Sequence, residues 1–236
     1  RVYQSKNGIS GSLVEIGVWP GKSFFILTKG RAAGEKCLGM DLFSIRPWRK
    51  GERQQIDEFR DNCVAHKIVL EPEEILQGDS IGFTPDDVLG RVGPPRLFHV
   101  DGGHDYAHAK SDLSLAASVI SDRGVIVIDD AFNSNWPEVC AAMLDWLREN
   151  KDFSPWASTG QKVFVSLAHN KEFYEKDLRA NFHAQVDRYV ELFGHKFISL
   201  NESRMGIIRE KLLGKLITPY QVPIPKATAA QFTQLH

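Results

Sequence analysis

Cysteine is scarce in this chain of 236 residues, which holds only Cys37, Cys63 and Cys140. An odd number at wide spacing, with no C-x-x-C pair, excludes a disulfide framework and a thiolate zinc site. Each sits among apolar neighbours and reads as a packed thiol. No apolar run approaches the roughly 20 residues of a membrane-spanning helix. No signal peptide is visible, so a cytoplasmic location without a membrane partner is expected. An excess of charge of one sign is also missing: 29 Lys and Arg face 30 Asp and Glu, for a net charge of −1. Bulk electrostatics therefore supports no polyanionic partner. The richest basic stretch, Arg46 to Arg60, is diluted by Glu52, Asp57 and Glu58. It reads as a solvated loop and helix, so no nucleic-acid partner is expected. There is no internal repeat, no G-x-S-x-G elbow and no Walker loop, which sets aside hydrolase and nucleoside-triphosphatase readings. An initiating methionine is absent as well. The first residue is Arg1, as in a domain cropped from a longer chain.

The composition that remains, 42% hydrophobic and 25% charged, is ordinary for a globular protein. Short apolar runs alternate with amphipathic stretches, the pattern of an α/β sheet. Strands are expected at Leu13–Val18, Cys37–Asp41, within Ile68–Leu76, at Arg96–Asp101 and at Gly124–Asp129. Helices are expected to start near Phe24 and at Gln54, Ala107 and Trp136. Thr159-Gly160 turns a hairpin between Phe153–Ala157 and Lys162–Leu167. The expected fold is a doubly wound, Rossmann-like, mostly parallel sheet with a final antiparallel hairpin strand. Residues 1–168 form that domain, and residues 169–236 form a C-terminal helix and extended arm. Within this appendage Phe182, Val186, Tyr189, Val190 and Phe193 trace a helical stripe over Lys171–Phe193. Pro219, Pro223 and Pro225 mark the arm.

In doubly wound sheets ligands bind at the carboxyl ends of the strands, and three features fall there. The first is Glu15-x-Gly17-x-x-x-Gly21-x-Ser23. Its glycines let the backbone approach a ligand closely. Its acid suits a cationic or hydroxyl-rich group better than a pyrophosphate, and the G-x-G-x-x-G dinucleotide fingerprint is absent. The second is Asp41, placed to accept from both hydroxyls of a ribose. That fits a nicotinamide dinucleotide and S-adenosylmethionine equally. Gly78-Asp79-Ser80 after the third strand can border an adenine, or be a simple polar turn. The third feature pairs Asp101-Gly102-Gly103-His104 with Asp129-Asp130. On neighbouring parallel strands these carboxylates converge, and their repulsion calls for a cation. Oxygen donors point to a hard ion such as Mg²⁺. His104 stands close enough to act as a base.

Taken in order, Val14-Glu15-Ile16-Gly17 through Ser23, Gly78-Asp79-Ser80, His99 to Tyr106, Asp112-Leu113 and Gly124 to Asp130 resemble the class I S-adenosylmethionine-dependent methyltransferases, and among them the macrocin-type sugar O-methyltransferases. The resemblance covers about residues 10 to 168. It implies a methyl transfer from S-adenosylmethionine to a hydroxyl of a small molecule or glycan. It implies Asp101, Asp129 and Asp130 as magnesium ligands and His104 as the base. Asp129 departs from the family, which often has glutamate there. The cofactor set carried over is Glu15, Gly17, Gly21, Ser23, Asp41, Asp79, Ser80 and Asp101.

Other polar residues take quieter roles. Asp105 and Tyr106 begin the following helix, while His108 and Asp112 read as helix-surface or packing residues. Asn133, Asn135 and Trp136 are placed to contact the acceptor. Lys162, Arg46, Trp48 and Arg49 are placed where any could face the pocket, but each reads first as solvated surface. A homo-oligomer remains open. The rival readings are a hydroxylase-like enzyme or a nicotinamide oxidoreductase on the same sheet, and a non-catalytic domain that keeps the fold.

Overall fold

A computed structural model describes residues 2–44, 54–192 and 194–201. Arg46, Trp48, Arg49, Phe193 and the proline-marked arm lie outside the described residues. The chain divides into units Arg1–Asn201 and Glu202–His236, and everything that follows concerns the first.

A short helix α1 (Val2–Lys6) precedes β1 (Ser12–Ile16), α2 (Lys22–Gly30), β2 (Cys37–Asp41) and α3 (Gln55–His66). Then come β3 (Ile75–Gln77), α4 (Pro85–Val92), β4 (Pro95–Val100), α5 (Tyr106–Val119), β5 (Val125–Ile128) and α6 (Pro137–Glu149). The chain continues through β6 (Phe153–Thr159), β7 (Lys162–Leu167), α7 (Lys171–Asn181), β8 (Val186–Leu192) and β9 (His195–Leu200). The nine strands form one sheet in the order β3-β2-β1-β4-β5-β7-β6-β9-β8. β1 to β5 pair in parallel, and β7 joins β5 antiparallel. The chain runs outward from β1 through β2 to β3, then returns to place β4 on the other side of β1. That reversal opens a crevice at the carboxyl ends of β1 and β4.

Alternation along the strands divides the core between the two faces of the sheet. Val14, Ile16, Phe98, Val100, Ile126 and Ile128 pack with Leu113 and Ala116 of α5 and Met143 and Trp146 of α6. Leu13 and Cys37 turn the other way, against Phe24 of α2 and Phe59 of α3. Val125 and Val127 share that alternation and meet Trp156, Tyr174 and Ile198. Burying each of these large apolar side chains contributes roughly 1.5–3 kcal/mol. Cys37 and Cys63 are buried within the apolar packing, and burial pushes their thiols up to about 12 and about 11.

Three expectations change. The third strand is only Ile75–Gln77, because Pro72-Glu73-Glu74 makes a 3-10 turn in front of it. A helix, α4, forms where none was expected. Pro85 starts it, and Thr84 and Asp87 cap it reciprocally. The helix read through Phe193 stops at Asn181, and Val186–Leu192 and His195–Leu200 form a hairpin that extends the sheet through β6. Val186 and Val190 are four residues apart, a spacing that puts them on one face of a helix and equally of a strand. Their β-branched side chains and Tyr189 favour the strand. No helix among the described residues is long and apolar enough to cross a membrane.

Candidate functional site

A cavity of about 520 Å³ opens at the carboxyl ends of the parallel strands. Its lining includes Gly17 and Trp19 after β1, Asp41 and Leu42 after β2, and Gly78-Asp79-Ser80 after β3. Asp101-Gly102-Gly103-His104 after β4, His108 of α5 and Asp130 after β5 complete much of the wall. Five residues expected to bind cofactor thus share one cavity, Gly17, Asp41, Asp79, Ser80 and Asp101, with His104, the expected base, beside them. Gly21, Ser23, Glu15 and Asp129 are not part of its lining.

Gly17 has φ +85°, and a side chain there would overlap the carbonyl of Asp101. Its N–H donates to Met40 at 2.8 Å, and the Asp101 N–H donates to Ile16 at 2.9 Å. The turn after β1 is thus pinned to β2 and to the start of the acidic loop. Gly21, at φ +101°, turns the chain into α2, where a side chain would strike the Phe25 ring. Its role is the turn rather than the cavity wall, and Ser23 follows it on the helix. Asp41 accepts from the backbone N–H of Trp19 at 2.8 Å and of Phe43 at 2.7 Å. Gln55 Nε2 also donates to its Oδ1 at 3.5 Å. Asp79 caps the following 3-10 turn through the N–H of Ile81 at 3.1 Å.

Glu15 lies behind this surface. It is fully buried, with Oε1 2.7 Å from His99 Nδ1 on β4. The two residues sit directly opposite each other in the parallel register of β1 and β4. Burial alone would depress the His99 imidazole, but Asp129 and Glu15 outweigh it and raise it to about 9, with Lys162 working against them. His99 Nε2 stands 3.6 Å from Asp129 Oδ2 and 3.0 Å from Lys162 Nζ. Lys162 in turn binds Asp129 directly. Burial works to raise the Asp129 carboxyl, but His99 and Lys162 overcome it and hold the group well below the usual carboxylate range. Asp101 meets the opposite balance: burial, and then the charge of Asp129, push it up to about 8.

Ligating atoms of Asp101, His104 and Asp130 lie within 4.8 Å of one another, as do those of Glu15, His99 and Asp101. His104 Nε2 is 2.9 Å from Asp130 Oδ2, without hydrogen-bond alignment. The His104 ring stacks on Trp136, centroids 4.5 Å apart and planes 14° from parallel. Asp130 has φ +53°, a left-handed conformation that aspartate tolerates better than most residues. Asn133 Nδ2 donates to its Oδ1 at 2.9 Å.

Several of these residues escaped the sequence reading. Lys162 is not solvated surface: Ile128 pairs with Val163 across β5 and β7, which delivers Lys162 to Asp129. His108 lines the cavity, with Nδ1 2.6 Å from Asp105 and Nε2 3.2 Å from Asp79. Asp112 is fully buried, which is the packing role of the two expected for it. Glu15 and His99 carried a signal, since each is a polar residue flanked on both sides by apolar ones within a strand. Asp105 caps α5, and Tyr106 anchors to Asp145 of α6 at 3.0 Å.

Residues 14–131 match the model of a family described as a methyltransferase domain. No curated protein matches the chain in sequence. Among solved structures, the O-methyltransferase NovP superposes with a TM-score of 0.55 at 16% identity, over 70% of this chain and 74% of that one. CalS11, described as a TDP-rhamnose 3'-O-methyltransferase of calicheamicin biosynthesis, superposes with a TM-score of 0.54 at 17% identity, over 71% of this chain and 76% of that one.

Proposed function

Since the chain belongs to the methyltransferase-domain family of S-adenosylmethionine-dependent enzymes, we propose that it transfers the methyl group of S-adenosylmethionine to a hydroxyl of a small molecule or sugar, with a divalent metal held by Asp101 and Asp130. The observation that carries this reading is the meeting of Asp101, His104 and Asp130 in the cavity that also contains Gly17, Asp41, Asp79 and Ser80. Asp41 is the acceptor for the ribose hydroxyls, and Asp79-Ser80 borders the adenine. Glu15 supports this surface from behind through His99.

The donor set fits a hard cation. Two carboxylates face the cavity, and Asp101 is pushed up to about 8 by burial and by Asp129, the response of an acid whose charge is incompletely offset. Lys162 already takes Asp129, so that acid stands behind the pair rather than beside it. A bound Mg²⁺ would lower the pKa of the acceptor hydroxyl. S-adenosylmethionine would supply the methyl group, and His104 Nε2 would be the base that takes the acceptor's proton. Trp136 keeps the imidazole plane fixed by stacking, and Asn133 holds Asp130. Fixing the reacting groups in this way supplies an orientation effect. NovP and CalS11 are named as O-methyltransferases, which supports oxygen as the acceptor atom.

The test is methyl transfer from S-adenosylmethionine to a panel of sugar and phenolic hydroxyls. Turnover should fall by about a hundredfold or more with a chelator and in Asp130→Ala, on the scale of losing one transition-state charge contact. Full turnover under both conditions removes the metal from the proposal.

A further inference from the structure

Helix α5 turns one row of polar side chains toward the segment after β3. Asp105, His108 and Asp112 are spaced three and four apart, which aligns them on one helical face. The outer part of the row is closed by partners: His108 bridges Asp105 and Asp79. The inner end is not. Asp112 is 0% exposed, and neither of its carboxylate oxygens has a well-aligned hydrogen-bond partner among the described residues; the Ser80 hydroxyl is the polar group near it. A buried polar group left this way destabilises the fold, and an apolar side chain there would avoid that cost. The packing of α5 alone therefore does not account for an acid here.

Its surroundings do. A side chain at Gly102 would run into Asp112 Oδ2, so the carboxyl lies against the bare face of that glycine. Burial pushes Asp112 up to about 6, with the Ser80 hydroxyl working in the opposite direction. Ser80 and Gly102 both line the cavity. They belong to separate segments, the 3-10 turn after β3 and the loop after β4, and the Asp112 carboxyl stands behind both.

Resting on the function proposed above, we infer that Asp112 is a positioning residue for the cofactor: its carboxyl oxygens set the Ser80 turn and the Gly102 loop at the separation that receives the adenosyl group. Asp112 touches neither the methyl donor nor the acceptor. Its contribution is to binding and not to the transfer step. It also gives the first glycine of Asp101-Gly102-Gly103-His104 a reason: any larger residue there displaces the carboxyl.

Asp112→Asn keeps the shape and an acceptor oxygen, whereas Asp112→Leu keeps the branched heavy-atom skeleton and removes every polar atom. Each is titrated calorimetrically with S-adenosylhomocysteine and, separately, with Mn²⁺ followed by electron paramagnetic resonance. The expected result is a Kd for S-adenosylhomocysteine within about threefold of wild type for Asp112→Asn and raised tenfold or more for Asp112→Leu, about 1.4 kcal/mol or more. Mn²⁺ binding should be unchanged in both. A leucine variant that binds S-adenosylhomocysteine like wild type overturns the inference, because the skeleton would then suffice. An asparagine variant as weak as the leucine variant overturns it too, as does a parallel loss of Mn²⁺ binding. If Asp112→Leu does not fold, Gly102→Ala takes its place: it must weaken S-adenosylhomocysteine by a similar factor, and unchanged affinity is fatal to the inference. Wild-type protein that fails to bind S-adenosylhomocysteine would instead refute the proposed function.

Discussion

Replacing Glu15 by glutamine removes one buried charge and leaves the shape of the side chain intact. Glu15 Oε1 lies 2.7 Å from His99 Nδ1, with both side chains nearly or fully buried. His99 is raised from 6.5 to about 9. A shift of that size corresponds to about 3.4 kcal/mol of preference for the imidazolium in the folded chain, at roughly 1.36 kcal/mol per unit. Asp129 and Glu15 share that preference, so Glu15 accounts for roughly 1–2 kcal/mol. Because the folded value lies above the unfolded one, this stabilisation is fully present below pH 6.5 and is lost as pH rises through about 9. Glu15→Gln should therefore lower Tm by roughly 2–8 °C at pH 6, at about 2–4 °C per kcal/mol for a chain of this size. The gap between the two proteins should close by about pH 10, where His99 is neutral in both. Differential scanning calorimetry from pH 6 to pH 10, with chelator present throughout, measures it. A gap that stays constant with pH, or no gap at all, would refute the charge coupling between β1 and β4.

Two further outcomes follow from the site's geometry. Gly17→Ala forces a side chain onto the Asp101 carbonyl at φ +85°; left-handed strain and overpacking of about 1–3 kcal/mol each should lower Tm and weaken S-adenosylhomocysteine together, and a variant with wild-type values for both would contradict the assigned close approach. Lys162→Met frees Asp129 from its ammonium partner. It should lower stability through the uncompensated Asp101–Asp129 repulsion and tighten Mn²⁺ several-fold, and an unchanged Mn²⁺ affinity would mean that Asp129 stays outside the metal's reach.

The parallel strands were legible because strands buried on both faces read as continuous apolar runs. The acids Asp41, Asp101 and Asp130 stand at or just past the ends of these strands, so they were legible with them. Helix α4 carried its signal in Thr84-Pro85-Asp86-Asp87, a capping box with proline in the first turn, and was missed because Val88 alone of its residues is buried. The hairpin after α7 was hidden by the four-residue spacing of Val186 and Val190, which both periods permit. The reading of Lys162 as surface, and the silence of the sequence on what the Asp112 carboxyl faces, share one reason. Each owes its role to register between distant segments: β5 against β7 for Lys162, and α5 beneath the β4 loop for Asp112. Local pattern carries no record of such register.

The central claim is that the cavity receives the adenosyl group of S-adenosylmethionine. Isothermal titration of the wild-type chain with S-adenosylhomocysteine, and in parallel with NAD, tests it most directly. Saturable one-to-one binding of S-adenosylhomocysteine that is weakened at least tenfold by Asp41→Ala, with no heat from NAD, is the predicted result. Binding of NAD in place of S-adenosylhomocysteine, or S-adenosylhomocysteine affinity indifferent to Asp41, would contradict it.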